Sequence, residues 1–193
     1  MKRKDEAVIR ILIEKKNEEL NILNISKALK MDYKNAYSIV KRLKKESLVN
    51  LETFGHAIRV KLIPKAHPLI FEAEYKRREE LLKNKNIAVM LDDFRKALKT
   101  RLFVLLVFGS YAKRKQTKNS DIDVMLIVPD GKEEFLEKEI DKAVRALPLP
   151  IHCLVFSEKQ FIEMTNAHEP NVGQEALKNN IILYGIEDYY GMI

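Results

Sequence analysis

Val8, Ile9, Leu12 and Ile13 recur at the spacing of one helical face, which predicts a helix over about residues 5–16. The segment "NISKALK" then offers Asn24 as an N-cap, with Ile25, Ala28 and Leu29 on one face. After the short joint "KMD", Asp32 is a second N-cap, and Ala36, Ile39, Val40 and Leu43 follow at i, i+3, i+4 and i+7. This third helix is expected to end near Ser47. The period then changes. "LVNLETFGHAIRVKLI" reads as two strands around Phe54-Gly55-His56, a hairpin tip.

Pro64 and Pro68 in "LIPKAHPLI" interrupt regular structure, and His67 before a proline is biased away from helix. "LIFEAEYKRREELLKN" resumes as a connecting helix of mixed charge. An amphipathic helix follows, carried by Ile87, Val89, Met90, Leu91, Phe94 and Leu98. Beyond it the pattern predicts strand 102–108, a helix or turn, strand 122–128, helix 132–147, strand 151–156, helices 158–166 and 172–179, and strand 181–184. Such an order makes a small sheet covered by helices. The boundaries drawn are 1–63, a 64–85 connection, and 86–193, with no internal repeat. The longest apolar run, 102–108, is too short to span a bilayer, so no membrane role is expected. Acids interrupt the apolar part of the N-terminus, which reads as structure and not as a signal peptide. The single cysteine, Cys153, excludes an internal disulfide and suits a reducing cytoplasm.

Charge separates the two parts. Residues 1–63 hold fifteen Lys and Arg against eight Asp and Glu, whereas residues 64–193 hold twenty of each. The whole basic excess lies in the first third, the electrostatic footprint of nucleic-acid binding. Three helices followed by a hairpin make the winged helix-turn-helix pattern, in which the third helix enters the DNA major groove. Its apolar face packs inward. That leaves Tyr33, Lys34, Asn35, Tyr37, Ser38, Lys41 and Arg42 to face a duplex, where Lys and Arg neutralise phosphates and Asn, Ser and Arg read base edges. Lys44 and Lys45 add long-range attraction. His56, Arg59 and Lys61 on the wing can reach a neighbouring backbone. A protein-docking winged helix with a charged exterior is the competing reading.

The stretch "LLVFGSYAKRKQTKNSDIDVMLIV" carries the chemistry. A core strand rarely opens with two aspartates, because buried carboxylates need a partner or a cation. Side chains two apart on a strand share a face, so Asp121 and Asp123 project together. Two such carboxylates suit a hard cation such as Mg²⁺. Upstream, Gly109 allows close backbone approach. Ser110 opens a short helix whose free N–H groups can hold a phosphate. A phosphate clamp joined to metal-binding carboxylates is equipment for phosphoryl or nucleotidyl transfer.

These residues resemble the signature of the minimal nucleotidyltransferases of the DNA polymerase β superfamily: Gly-Ser, a spacer of about ten residues, then Asp-X-Asp. Here the signature is Gly109-Ser110, residues 111–120, and Asp121-Ile122-Asp123. The resemblance covers roughly residues 86–185. Joined to the first third, it implies an α+β/α/β chain, a winged helix-turn-helix followed by a small mixed-sheet nucleotidyltransferase domain with flanking helices. It implies Asp121 and Asp123 as catalytic metal ligands, Gly109 and Ser110 as nucleotide contacts, Mg²⁺ or Mn²⁺ as cofactor and an NTP as substrate.

Two departures from the family stand out. The insert after the Gly-Ser pair is basic, with Lys113, Arg114, Lys115 and Lys118. The next core strand, "PIHCLVFSEKQF", lacks the acid that active members commonly place there. His152 stands roughly in its position, and Glu158 lies just past the strand. Three readings follow. One is an enzyme that transfers a nucleoside monophosphate to a hydroxyl. Another is a DNA-binding regulator with a degenerate, nucleotide-sensing domain. The third is an antitoxin-like module that docks a HEPN-type helical toxin. Double-stranded DNA is the partner expected of the first third, and a homodimer is compatible with all three.

Overall fold

In a computed structural model, which describes residues 2–55, 57–117 and 119–193, the chain divides into two compact units, Met1–Tyr75 and Lys76–Ile193. The expectations placed on His56 and Lys118 fall outside the described residues.

The first unit begins with helices α1 (Lys2–Glu14), α2 (Ile22–Ala28) and α3 (Tyr33–Lys45). Val8, Ile9, Leu12 and Ile13 of α1 are buried together with Ala36, Ile39, Val40 and Leu43 of α3. The helix α2 starts earlier than the sequence pattern suggests. Asn21, not Asn24, is its N-cap, and Asn24 occupies the third helical position. The Asn24 backbone N–H donates to Asn21 Oδ1 at 2.8 Å, and the Asn21 N–H donates to Asn24 Oδ1 at 3.0 Å. This reciprocal box satisfies two helix-end donors at once, which a cap at Asn24 alone does not. The buried face is consequently Ile22, Ile25 and Ser26, while Ala28 is exposed. Asp32 caps α3, accepting from the Asn35 N–H at 2.8 Å, and this hydrogen bond holds its carboxyl below the ordinary aspartate range. Strands β1 (Val49–Phe54) and β2 (Ala57–Leu62) follow as an antiparallel pair, with Leu51 opposite Val60. The Val60 N–H also donates to Leu20 O at 2.8 Å, which ties the hairpin to the α1–α2 joint.

Helix α4 (Pro68–Leu81) follows, and α5 (Lys85–Leu98) leads into the second unit's sheet. That sheet contains β3 (Val104–Val107), β4 (Ile122–Val128), β5 (Ile151–Ser157) and β6 (Ile181–Tyr184), in the order β5-β4-β3-β6. β3 is antiparallel to β4 and to β6, whereas β4 and β5 are parallel. The helices are α6 (Gly109–Ala112), α7 (Glu133–Ala146), α8 (Glu158–Asn166), α9 (Val172–Lys178) and α10 (Ile186–Met192). The sequence pattern gave no separate α10.

The sheet is covered on both faces, which is why β3 and β4 read as continuous apolar runs. Leu105, Val107, Ile122, Val124 and Leu126 join Ile87, Phe94, Leu136 and Ile140 from α5 and α7 in one cluster. Residues of the opposite parity, such as Leu106, Met125 and Ile127, are buried on the side where α8 and α10 pack. A buried polar knot secures this unit. Arg77 donates to Asn180 O at 2.6 Å, and Asn180 Nδ2 donates to Ala176 O at 2.7 Å and to Tyr189 Oη at 2.9 Å. No helix among the described residues is long and apolar enough to cross a membrane.

Candidate functional site

Strand parity places the carboxylate of Asp123. Ile122 and Val124 are committed to the α5/α7 face, so Asp123 takes the other face at the first turn of β4. It is half-buried there. Asp121 precedes the strand and is exposed. The strand starts where the Ile122 N–H meets Pro150 O at 2.7 Å and joins the β5 ladder. Before it, the Thr117 N–H donates to Ser120 Oγ at 2.9 Å and the Ser120 N–H returns to Thr117 O at 3.2 Å. This turn delivers the chain to Asp121.

Gly109 comes back to the same point from β3. The Phe108 N–H donates to Asp123 O at 3.0 Å, and Gly109 then adopts φ of 62° as the first residue of α6. A Cβ at Gly109 would lie 2.3 Å from Asp123 Oδ2 and 3.1 Å from its Cγ. The missing side chain is therefore the space that the Asp123 carboxylate occupies. Ser110 is half-buried beside it, and its carbonyl accepts from the Lys115 N–H at 2.9 Å.

His152 is directly paired with Asp123 in the parallel β4–β5 register. Its Nδ1 lies 3.4 Å from Asp123 Oδ1, and its side chain is 60% exposed. Glu158 cannot share this site. It follows Ser157, which pairs with Val128 at the far end of β4, so six steps of extended chain separate it from His152, about 20 Å. The sequence left Glu158 open as a substitute acid, and parallel pairing removes it.

The basic insert is tied down on both sides. Lys113 Nζ lies 2.6 Å from Glu175 on α9, and Arg114 donates to Glu80 on α4 at 2.8 Å. These acids lie far from the motif in sequence, and no local signal marks them. Glu80 and Arg114, with Arg77, Tyr111 and Gln116, border a cleft of about 310 Å³ beside α6. Cys153 is half-buried on β5, and burial, then the charges of Asp141 and Glu137, push its thiol up to about 12.

Residues 91–183 match the family model of the nucleotidyltransferase domain. The matched nucleotidyltransferase span contains Gly109, Ser110, Asp121, Asp123 and His152. No curated protein matches the chain. Among solved structures, a toxin–antitoxin crystal structure with AMP-PNP is 20% identical, covers 52% of this chain and 80% of its own, and superposes with a TM-score of 0.36.

The donor set fits a cation that arrives with its nucleotide. Mg²⁺ is commonly held by one or two carboxylates, with substrate phosphates and waters completing the shell. Asp121 and Asp123 supply two. Among the described residues no group of three or more His, Cys, Asp and Glu side chains is arranged to hold a metal alone.

On the first unit, the exposed stripe of α3 is an aromatic and basic ladder. Tyr33 stacks on Tyr37 with centroids 6.3 Å apart, and Lys41 Nζ lies 5.0 Å from the Tyr37 centroid. Lys34, Asn35 and Ser38 lie on the exposed surface, though Asn35 also bonds Asp32 and Ser38 returns its hydroxyl to Lys34 O. Arg42 is turned inward. It donates from Nε to Asp5 Oδ2 at 2.9 Å and pairs again through Nη2 with Oδ1. Asp5 holds the Arg42 pKa above its ordinary value. On the hairpin, Arg59 pairs with Glu19 and Lys61 with Glu52.

Proposed function

We propose that the second unit is a nucleotidyltransferase module that binds Mg²⁺- or Mn²⁺-NTP and transfers a nucleoside monophosphate to a hydroxyl acceptor. We propose further that residues 1–63 are a winged helix that brings it to double-stranded DNA. The observation that carries the first reading is the seating of the Asp123 carboxylate on Gly109, at the start of α6. Gly109 and Ser110 would hold the phosphates. Asp121 and Asp123 would hold the cation, which when bound neutralises triphosphate charge. His152 faces Asp123, where it can orient that carboxylate or take a proton from an acceptor hydroxyl. The ladder Tyr33-Tyr37-Lys41 supports the DNA reading, with Lys34, Asn35 and Ser38 around it.

His152 in place of an acid favours a second reading, a nucleotide-sensing regulator with slow or no turnover. In that case a helical protein partner of the HEPN toxin type is the natural recipient of the signal. A radiolabelled-NTP transfer assay separates the two. Label transferred by the native chain, and lost in Asp121→Asn/Asp123→Asn, supports the enzyme. Nucleotide binding without transfer to nucleic-acid or protein acceptors supports the sensor.

A further inference from the structure

The second unit has a basic cleft at the other end of its sheet. It holds about 400 Å³ and is lined by Asp92, Arg95, Lys96, Lys99, Arg101 and Tyr184. Tyr184 pairs with Leu105, and Leu105 with Leu126, so the cleft lies toward the end of β4, whereas Asp123 stands at its beginning. The three strand steps from Asp123 to Leu126 put about 10 Å along the strand between the two positions.

The charges there are not all equivalent. Lys96 is consumed by Asp92 at 2.5 Å and Asp93 at 3.8 Å. Arg95, Lys99 and Arg101 are exposed. This concentration arises in a part of the chain, residues 64–193, whose acids and bases balance overall. Lys99 sits at the C-cap of α5 with φ of 51°, a left-handed conformation that glycine adopts at lower cost. Beside it stands a column of planar groups. Phe103 stacks on Tyr184 with centroids 4.3 Å apart and planes 15° from parallel. The Arg95 guanidinium carbon lies over the Tyr184 ring, 5.7 Å from its centroid.

We propose that this cleft binds a single-stranded nucleic acid, with Lys99 and Arg101 on the phosphates and the Arg95 plane as the platform for one base. Guanidinium planes and aromatic rings are the surfaces on which unpaired bases stack. An unpaired base is free to stack on the Arg95 plane, whereas the bases of a duplex are already stacked on their neighbours. The site lies apart from Asp121 and Asp123 and does not depend on the transfer reaction.

The test is titration of the full-length protein with a fluorescein-labelled single-stranded oligonucleotide over a range of salt, with hydrogen exchange to locate the footprint. Each phosphate contact contributes about 0.7 to the salt slope for single strands, so Lys99→Gln/Arg101→Gln should lower the slope by about 1.4 and the affinity about 25-fold near 0.1 M salt. Arg95→Lys keeps the charge and loses the plane, so it should weaken binding with the slope unchanged. Lys99→Gly relieves the left-handed backbone, so it should raise Tm while weakening binding about fivefold. Opposite signs in those two readouts exclude a merely structural role for Lys99. Unchanged affinity and slope in Lys99→Gln/Arg101→Gln overturn the proposal. So does a footprint that omits 92–101, equal binding of the matching duplex through the same residues, or protection by inorganic phosphate that the oligonucleotide does not increase.

Discussion

Replacing Gly109 by alanine should damage the candidate site in a way that a second glycine can calibrate. Gly109 and Gly131 both have positive φ, 62° and 76°. At Gly131 a Cβ meets nothing within 4 Å, whereas at Gly109 it would lie 2.3 Å from Asp123 Oδ2. Gly131→Ala therefore reports left-handed strain alone, about 1 kcal/mol. Gly109→Ala carries the same strain and must also turn the Asp123 carboxylate out of its place. An off-rotamer side chain costs about 0.5–1.5 kcal/mol, so the total should reach about 1.5–2.5 kcal/mol. The contact to the Asp123 Cβ, 3.4 Å, is ordinary and needs no movement. In an Asp123→Ala background Gly109→Ala should thus fall back to about 1 kcal/mol, a coupling of about 0.5–1.5 kcal/mol in a double-mutant cycle. Denaturant unfolding of the four proteins measures it. The stabilisation by Mg²⁺-ATP in the same assay should vanish in Gly109→Ala and persist in Gly131→Ala. Equal costs for the two glycines, with no coupling to Asp123, would refute the claim that the glycine is there for the carboxylate.

On α3, Lys41→Gln should lower the salt slope of duplex DNA binding by about 0.9 and the affinity about eightfold near 0.1 M salt. Arg42→Gln should leave that slope unchanged, because Asp5 already takes its charge, and should instead destabilise the first unit by about 1–3 kcal/mol. Filter binding and thermal unfolding of the two variants distinguish these outcomes, and a slope change in Arg42→Gln would show that the pair opens onto DNA. Cys153 should react with a thiol reagent at pH 8 about three orders of magnitude more slowly in the native chain than when unfolded, since its thiolate is suppressed up to about pH 12. A raised folded pKa stabilises below the unfolded value and is lost above it, so native stability should decline from the ordinary thiol range upward, and Cys153→Ala should remove that component of the slope. His152→Asp should lower metal-free stability by about 1 kcal/mol, through a second carboxylate beside Asp123 partly screened by water, and should enlarge the stabilisation by Mg²⁺-ATP. Calorimetry with and without Mg²⁺ reads both, and a variant as stable as the native chain without metal would refute the pairing.

The elements around the site were legible because local and tertiary preferences agree there. The apolar runs that became β3 and β4 stay buried on both faces. Asp32 capped α3 as its sequence suggests. Asn24 failed as a cap because Asn21, three residues earlier, answers it in a reciprocal box, and a single-residue search for cap types cannot weigh two asparagines against each other. The fates of Arg42, Lys113 and Arg114 were not legible. Each depends on a carboxylate brought from elsewhere, Asp5, Glu175 or Glu80, and charge composition is blind to such pairings. Glu158 was misleading for the converse reason: it is close to His152 in sequence, and a strand is the conformation that carries sequence neighbours farthest apart.

The pairing of His152 with Asp123 bears on how the site exists without its ligand. An acid paired with Asp123 across a parallel ladder would set two carboxylates side by side, with Asp121 two residues away. Such a set is repulsive until a cation enters, so its metal affinity comes at the expense of the empty fold. With an imidazole 3.4 Å from Asp123 that repulsion is absent. The folded unit then needs no cation, and one fewer hard oxygen donor is left to hold one. Two carboxylates and a phosphate-ready glycine turn still suit a metal that comes already bound to a triphosphate. On the proposed reading, metal occupancy would therefore follow nucleotide occupancy. Binding experiments that vary Mg²⁺ and NTP together test that dependence.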